Sequence, residues 1–234
     1  MSLAASEVQR LAAMGAPVLC VDTCSLLDVM RDPTREGLKS TDFQAALDMI
    51  ALMEANGPLI CLLAEQVQRE LHDNAPKVEE DAKVYVQRFK SRVERLHSIT
   101  GVFAPIGPLD LRHLDGHVDL ARIVFDRWVA VATPVPQKAG IGDRAMARVM
   151  ARQTPAQPGK ESAKDCVVIE TYLDTVAELR HAGLGSTVVF LSSNTKDYTG
   201  RDDTGLNHDL LAEFAALGMQ YASGAGFAKH LLQV

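Results

Sequence analysis

Four acidic residues stand where a chain of this pattern could do chemistry. Asp22 closes the apolar run 17–21, and Asp197 follows the apolar run 187–191 across the polar turn Ser192-Ser193-Asn194. Glu70 lies on a helix-like stretch after a second apolar run, 59–63. Asp165 lies near the start of another helix-like stretch, close behind Lys160 and Lys164. Carboxylate oxygens are donors for hard cations, and Mg²⁺ prefers octahedral oxygen coordination with several waters retained. Three or four carboxylates in one cleft repel each other and resist ionisation unless a cation neutralises them. What these residues can do therefore depends on whether the fold gathers them.

The elements that must position them read clearly. Short apolar runs bounded by Gly and Pro are buried strands at 17–21, 59–63 and 187–191, with a short fourth at 219–222. Helices lie between them. One spans about 6–14. Another is capped by Ser40 or Thr41, carries Phe43, Leu47, Ile50 and Met53 on one face and stops at Asn56-Gly57-Pro58. A third starts near Ala64 and is broken by Asn74 and Pro76, and a fourth over 77–99 repeats Ala82, Tyr85, Phe89, Val93 and Leu96 at helical spacing. Further helices are expected over 162–181 and 206–217. The least regular stretch, about 101–159, reads as a helical insertion: a helix near 117–131, a Pro-rich turn at 133–136 and a basic helix over 143–152.

Strands alternating with helices imply an α/β chain, with a central parallel sheet covered on both faces in three α/β/α layers. A single domain over 1–234 with that insertion is the simplest organisation. In open parallel sheets, ligands gather outside the carboxyl ends of the strands. Asp22 and the Ser192–Asp197 segment both fall there.

With 47% apolar residues the chain can bury a sizeable core. Its formal charge of −6 argues against a protein that coats nucleic acid through a broadly basic surface, although a carboxylate cluster itself adds negative charge. Cys20, Cys24, Cys61 and Cys166 form no CxxC pair or regular framework, which suits a reducing, cytoplasmic compartment. No stretch approaches the roughly 20 apolar residues that span a bilayer, so no membrane partner is expected. No signal peptide is evident either.

Four segments together resemble the motifs of PIN-domain nucleases. Val18-Leu19-Cys20-Val21-Asp22-Thr23-Cys24-Ser25-Leu26-Leu27-Asp28 is similar to the opening motif, a strand ending in Asp-Thr/Ser with an apolar pair after it. Gln66-Val67-Gln68-Arg69-Glu70-Leu71 resembles the helical second motif. Lys164-Asp165-Cys166-Val167-Val168-Ile169 resembles the third. Phe190-Leu191-Ser192-Ser193-Asn194-Thr195-Lys196-Asp197-Tyr198 resembles the fourth. The likeness runs from about residue 17 to residue 222, with two departures. Asn194 stands where many members have Asp, and the chain is much longer than the small toxin-type proteins, mainly through residues 76–159.

The resemblance implies a PIN-like fold and a metal-dependent nuclease, in the first instance a ribonuclease that hydrolyses RNA phosphodiester bonds, as in the toxin half of a toxin–antitoxin pair. One or two Mg²⁺ or Mn²⁺ ions would orient a phosphate, activate water and stabilise the leaving oxygen. Asp22, Glu70 and Asp165 are the expected ligands and Asp197 completes the set. Ser192 and Asn194, beside Thr23, order the loop or contact phosphate. RNA is the expected partner, with an inhibitory antitoxin and a homodimer as further expectations. The competing reading is a PIN-like binding module for nucleic acid or protein that has lost catalysis, suggested by Asn194. Other phosphate enzymes fit less well: a haloacid-dehalogenase phosphatase needs a second Asp where Cys24 stands, GxxxxGK[ST] is absent, and no acid pair of a receiver domain is found.

Several residues carry plainer readings. Arg144, Arg148 and Arg152 recur every four positions and form either a solvated face or a strip that contacts phosphate together with Lys160 and Lys164. Asp28 acts locally and Glu65 as a helix-start residue. Trp128 and Phe125 read as insertion core, and His208 as a surface turn.

Overall fold

The computed structural model describes residues 3–55, 57–157, 159–200 and 205–234. Asn56, expected at a helix stop, lies outside the described residues. Five parallel strands form one sheet in the order β3-β2-β1-β4-β5, with β1 Val18–Val21, β2 Ile60–Ala64, β3 Thr133–Val135, β4 Val188–Leu191 and β5 Met219–Ala222. Every residue of β1, β2 and β4 is buried, as a sheet covered on both faces requires. Leu19 pairs with Cys61 on one side and Val189 on the other, so β1 is the central strand.

Ten helices surround the sheet among the described residues: α1 Ala5–Met14, α2 Thr23–Leu27, α3 Ser40–Glu54, α4 Glu65–Phe103, α5 His117–Val131, α6 Ile141–Ala151, α7 Ala163–His181, α8 Thr195–Tyr198, α9 His208–Leu217 and α10 Ala225–Leu232. α7 packs with α1, α6 and α9, and α3 packs with α5 and α10, giving three α/β/α layers. No described helix is long and apolar enough to cross a membrane.

Three sequence expectations need correction. Pro76 does not end a helix: α4 runs unbroken through it from Glu65 to Phe103. An interior proline costs about 3 kcal/mol, but Ala75 and Ala82 on either side are buried, and that tertiary packing carries the helix across. The Pro-rich turn at 133–136 includes a strand. β3 pairs with β2, and Pro134 is tolerated there because β3 is an edge strand with one side free of the ladder. Within 101–159, then, the chain supplies a sheet strand, and Phe125 and Trp128 belong to the same core as β1 and β4. Finally, Ser40 is the first residue of α3 and makes no side-chain cap, while His208 opens α9 rather than a turn.

One side chain fixes the geometry on which the site depends. The buried Tyr172 hydroxyl on α7 donates to the Val21 carbonyl oxygen (2.6 Å) and accepts from the Ala64 N–H (3.1 Å). It bolts α7 to the carboxyl ends of β1 and β2, one residue before Asp22 and one before α4. Asp165 precedes Tyr172 by seven residues, two helical turns, and so shares its face and projects past the sheet edge.

Candidate active site

β1 and β4 are neighbours whose connections lead to opposite sides of the sheet, and the crevice at such a switch point is where α/β proteins bind ligands. Asp22 sits in it. Its N–H donates to the Leu191 carbonyl oxygen (3.0 Å), carrying the β1–β4 pairing one residue further. Its carboxylate is buried and held by three donors. Oδ1 accepts from the Thr23 N–H (2.8 Å), and Oδ2 accepts from the Ser192 hydroxyl (2.7 Å) and the Cys24 thiol (3.1 Å). Burial raises the Asp22 pKa and the charge of Glu70 adds to the rise, while the three hydrogen bonds oppose it.

The other elements bring their acids to the same place. Thr23 opens α2 and its hydroxyl donates to Glu70 Oε2 (2.7 Å), while Gln66, one turn earlier on α4, donates to Oε1 (2.9 Å). Asp165 on the first turn of α7 has no hydrogen bond or ion pair among the described residues. Desolvation first, and then the negative charges of Asp22, Asp197 and Glu70, push its pKa up to about 7 against a lowering by Lys160. Asp165 thus lies within electrostatic reach of Asp22, Glu70 and Asp197. Asp197, on α8, is buried because its neighbour Tyr198 inserts its ring against Phe190 (centroids 5.2 Å apart).

The supporting residues divide. Ser192 is fully buried and orders Asp22, so it is not a phosphate contact. Asn194 donates to Asp197 Oδ2, and its own N–H donates to Ser192 Oγ (3.2 Å), so it too braces the loop. Lys160 pairs with both oxygens of Asp197, whereas Lys164 is exposed on the first turn of α7. The arginine strip is overturned. Arg148 is buried and bonds Glu170, Glu213 and the Thr154 carbonyl oxygen, and Arg144 pairs with Glu170 and Asp174, so neither is free to meet a phosphate. Asp28 acts locally, pairing with Arg31 and Arg35, and Glu65 accepts the Gln137 N–H (2.7 Å).

Sequence reasoning missed Cys24, Gln66 and Gln157 as site residues. Cys24, two residues after Asp22, serves as a neutral donor. Burial and the Asp22 charge lift its pKa to about 12, so it stays a thiol and is no nucleophile. The i, i+4 spacing of Gln66 and Glu70 could have signalled their pairing.

The donor set suits a divalent cation by chemistry: oxygen ligands, excess negative charge, and a carboxyl that ionises only reluctantly without one. The buried Tyr198 hydroxyl points the same way. It has no partner among the described residues, and its ionisation feels the charges of Asp22, Asp165 and Asp197. Among the described residues, no three acidic, His or Cys side chains stand close enough together to hold an ion as arranged. Compared with protein-family profiles, curated proteins and solved structures, the chain matches none.

The raised Asp165 pKa has a stability consequence. Below the unfolded value of 3.8 the carboxyl is protonated in both states. Between 3.8 and about 7 the unfolded chain ionises first, so stability falls as pH rises, and above 7 the loss is complete. At about 1.4 kcal/mol per unit, and allowing for its partial exposure, the loss is roughly 2–4 kcal/mol. Asp165→Asn therefore raises the melting temperature of the metal-free protein at pH 8 on the order of 5–10 °C, with a much smaller rise at pH 5. Equal shifts at the two pH values would contradict the raised pKa of this desolvated carboxyl.

Proposed function

We propose that this chain is a PIN-domain-like, metal-dependent ribonuclease that hydrolyses RNA phosphodiester bonds at the Asp22, Glu70 and Asp165 cluster. The observation that carries the reading is geometric: the buried Asp22 ends β1 at the β1–β4 switch point, and Thr23, next to it, ties Glu70 of α4 to the same turn. Asp22, Glu70 and Asp165 would hold Mg²⁺ or Mn²⁺, which supplies Lewis-acid activation of water and neutralises charge on the phosphate. The chain's own groups prepare this. Thr23, Cys24 and Ser192 orient the Asp22 oxygens, and the Thr23 hydroxyl ties Glu70 to the same turn. A role as the toxin of a toxin–antitoxin pair, with an inhibitory protein partner and a cytoplasmic location, belongs to the same proposal.

A second reading, a PIN-like binding module without catalysis, is favoured by one observation: Asp197 is already neutralised by Lys160. A fluorescent RNA titrated with Mn²⁺ separates the two. Cleavage that requires Mn²⁺ and stops with EDTA supports the nuclease, whereas absence of both cleavage and Mn²⁺ binding supports the binding module.

A further inference from the structure

Asp197 looks like a metal ligand by its place in the chain, yet its carboxylate is already fully engaged. A carboxylate offers about four lone-pair sites. Lys160 Nζ donates to both oxygens, Asn194 Nδ2 to Oδ2, and Gln157 Nε2 to Oδ1 (3.2 Å). The side chain is only 1% exposed. The strap that delivers Lys160 is braced on several sides. Arg148 donates to the Thr154 carbonyl oxygen (2.7 Å), and Asp209 accepts from the Thr154 N–H and hydroxyl (2.7 and 2.8 Å). Gln157 Nε2 also donates to the Lys196 carbonyl oxygen (2.7 Å). Lys160 is 46% exposed along its side chain, while its N–H donates to the Gln157 carbonyl oxygen (3.2 Å) and its ammonium is held by both oxygens of the buried Asp197.

We propose that Lys160 takes the place of a second divalent cation, so that the site binds one metal ion, at Asp22, Glu70 and Asp165. This rests on the metal reading of the cluster. Four carboxylates against one ammonium leave three unmatched negative charges. A single divalent ion cancels most of that excess, and a second would have to displace Lys160 from a buried, fully hydrogen-bonded partner. Lys160 is itself half exposed, but Asp197 is buried, so removing the ammonium would leave a buried carboxylate without its counter-charge.

The test is Mn²⁺ stoichiometry on the full chain at pH 8, by calorimetric titration and by electron paramagnetic resonance, which detects exchange-coupled ion pairs. Wild type binds one ion with an isolated-ion spectrum. Lys160→Met, with Asp197 unpaired, binds two and shows coupling. Lys160→Arg, which keeps the charge, returns to one. Two ions in wild type, or one in Lys160→Met, would overturn the inference and leave the metal site standing. No ion in any of the three would remove the metal reading itself, and this inference with it.

Discussion

Asp22→Asn lowers Mn²⁺-dependent RNA cleavage by at least about 10³-fold, equivalent to roughly 4 kcal/mol of transition-state stabilisation, while the protein stays folded. The side chain accepts from Thr23, Ser192 and Cys24 and adds one of the charges that bind a cation. An amide of the same shape keeps one acceptor oxygen and removes the charge. It also turns an NH₂ group toward donors that need an acceptor, which disturbs the Ser192 contact. Burial already raises the Asp22 pKa, so losing the charge relieves a desolvation cost and offsets part of the lost hydrogen bonding. The expected melting temperature thus lies within a few degrees of wild type, and the activity loss is not unfolding. More than a tenth of wild-type cleavage in a folded variant would remove Asp22 from the catalytic site.

Arg148→Met costs about 3–5 kcal/mol of stability, read as a fall in melting temperature on the order of 10 °C. The guanidinium is 2% exposed. It donates to Glu170 Oε1 (2.8 Å), Glu213 Oε1 (2.6 Å) and the Thr154 carbonyl oxygen (2.7 Å), joining α6 to α7, to α9 and to the strap that carries Lys160. Glu170 retains Arg144, but Glu213 loses the guanidinium bonded to Oε1 while its Oε2 is already buried without a partner. Chemical denaturation of the variant checks the figure. A loss under about 1 kcal/mol would mean that the arginine is a surface strip after all.

The order of burial and polarity along the chain was enough to read an α/β fold. The runs 18–21, 60–64 and 188–191 are apolar throughout, and only a sheet covered on both faces accommodates that. Asp22, Glu70 and Asp165 could be picked out because each follows a strand or opens a helix. Other features lay beyond local pattern. Pro76 inside α4 and Pro134 in β3 go against propensity, and packing and edge position override it. Arg144 and Arg148 could be read as a solvated face or as a strip for phosphate, because helical spacing says which residues share a face, not what that face meets.

The sequence by itself determined that β1, β2 and β4 are buried strands, because an unbroken apolar run bounded by Gly, Pro or a polar turn is a local property. Only the tertiary structure decided that Tyr172 bolts α7 over the sheet edge to bring Asp165 to Asp22, that Arg148 is buried, and that Lys160 occupies Asp197. Those pairings join residues 22, 37 and 151 positions apart, at distances and burials that no local spacing encodes.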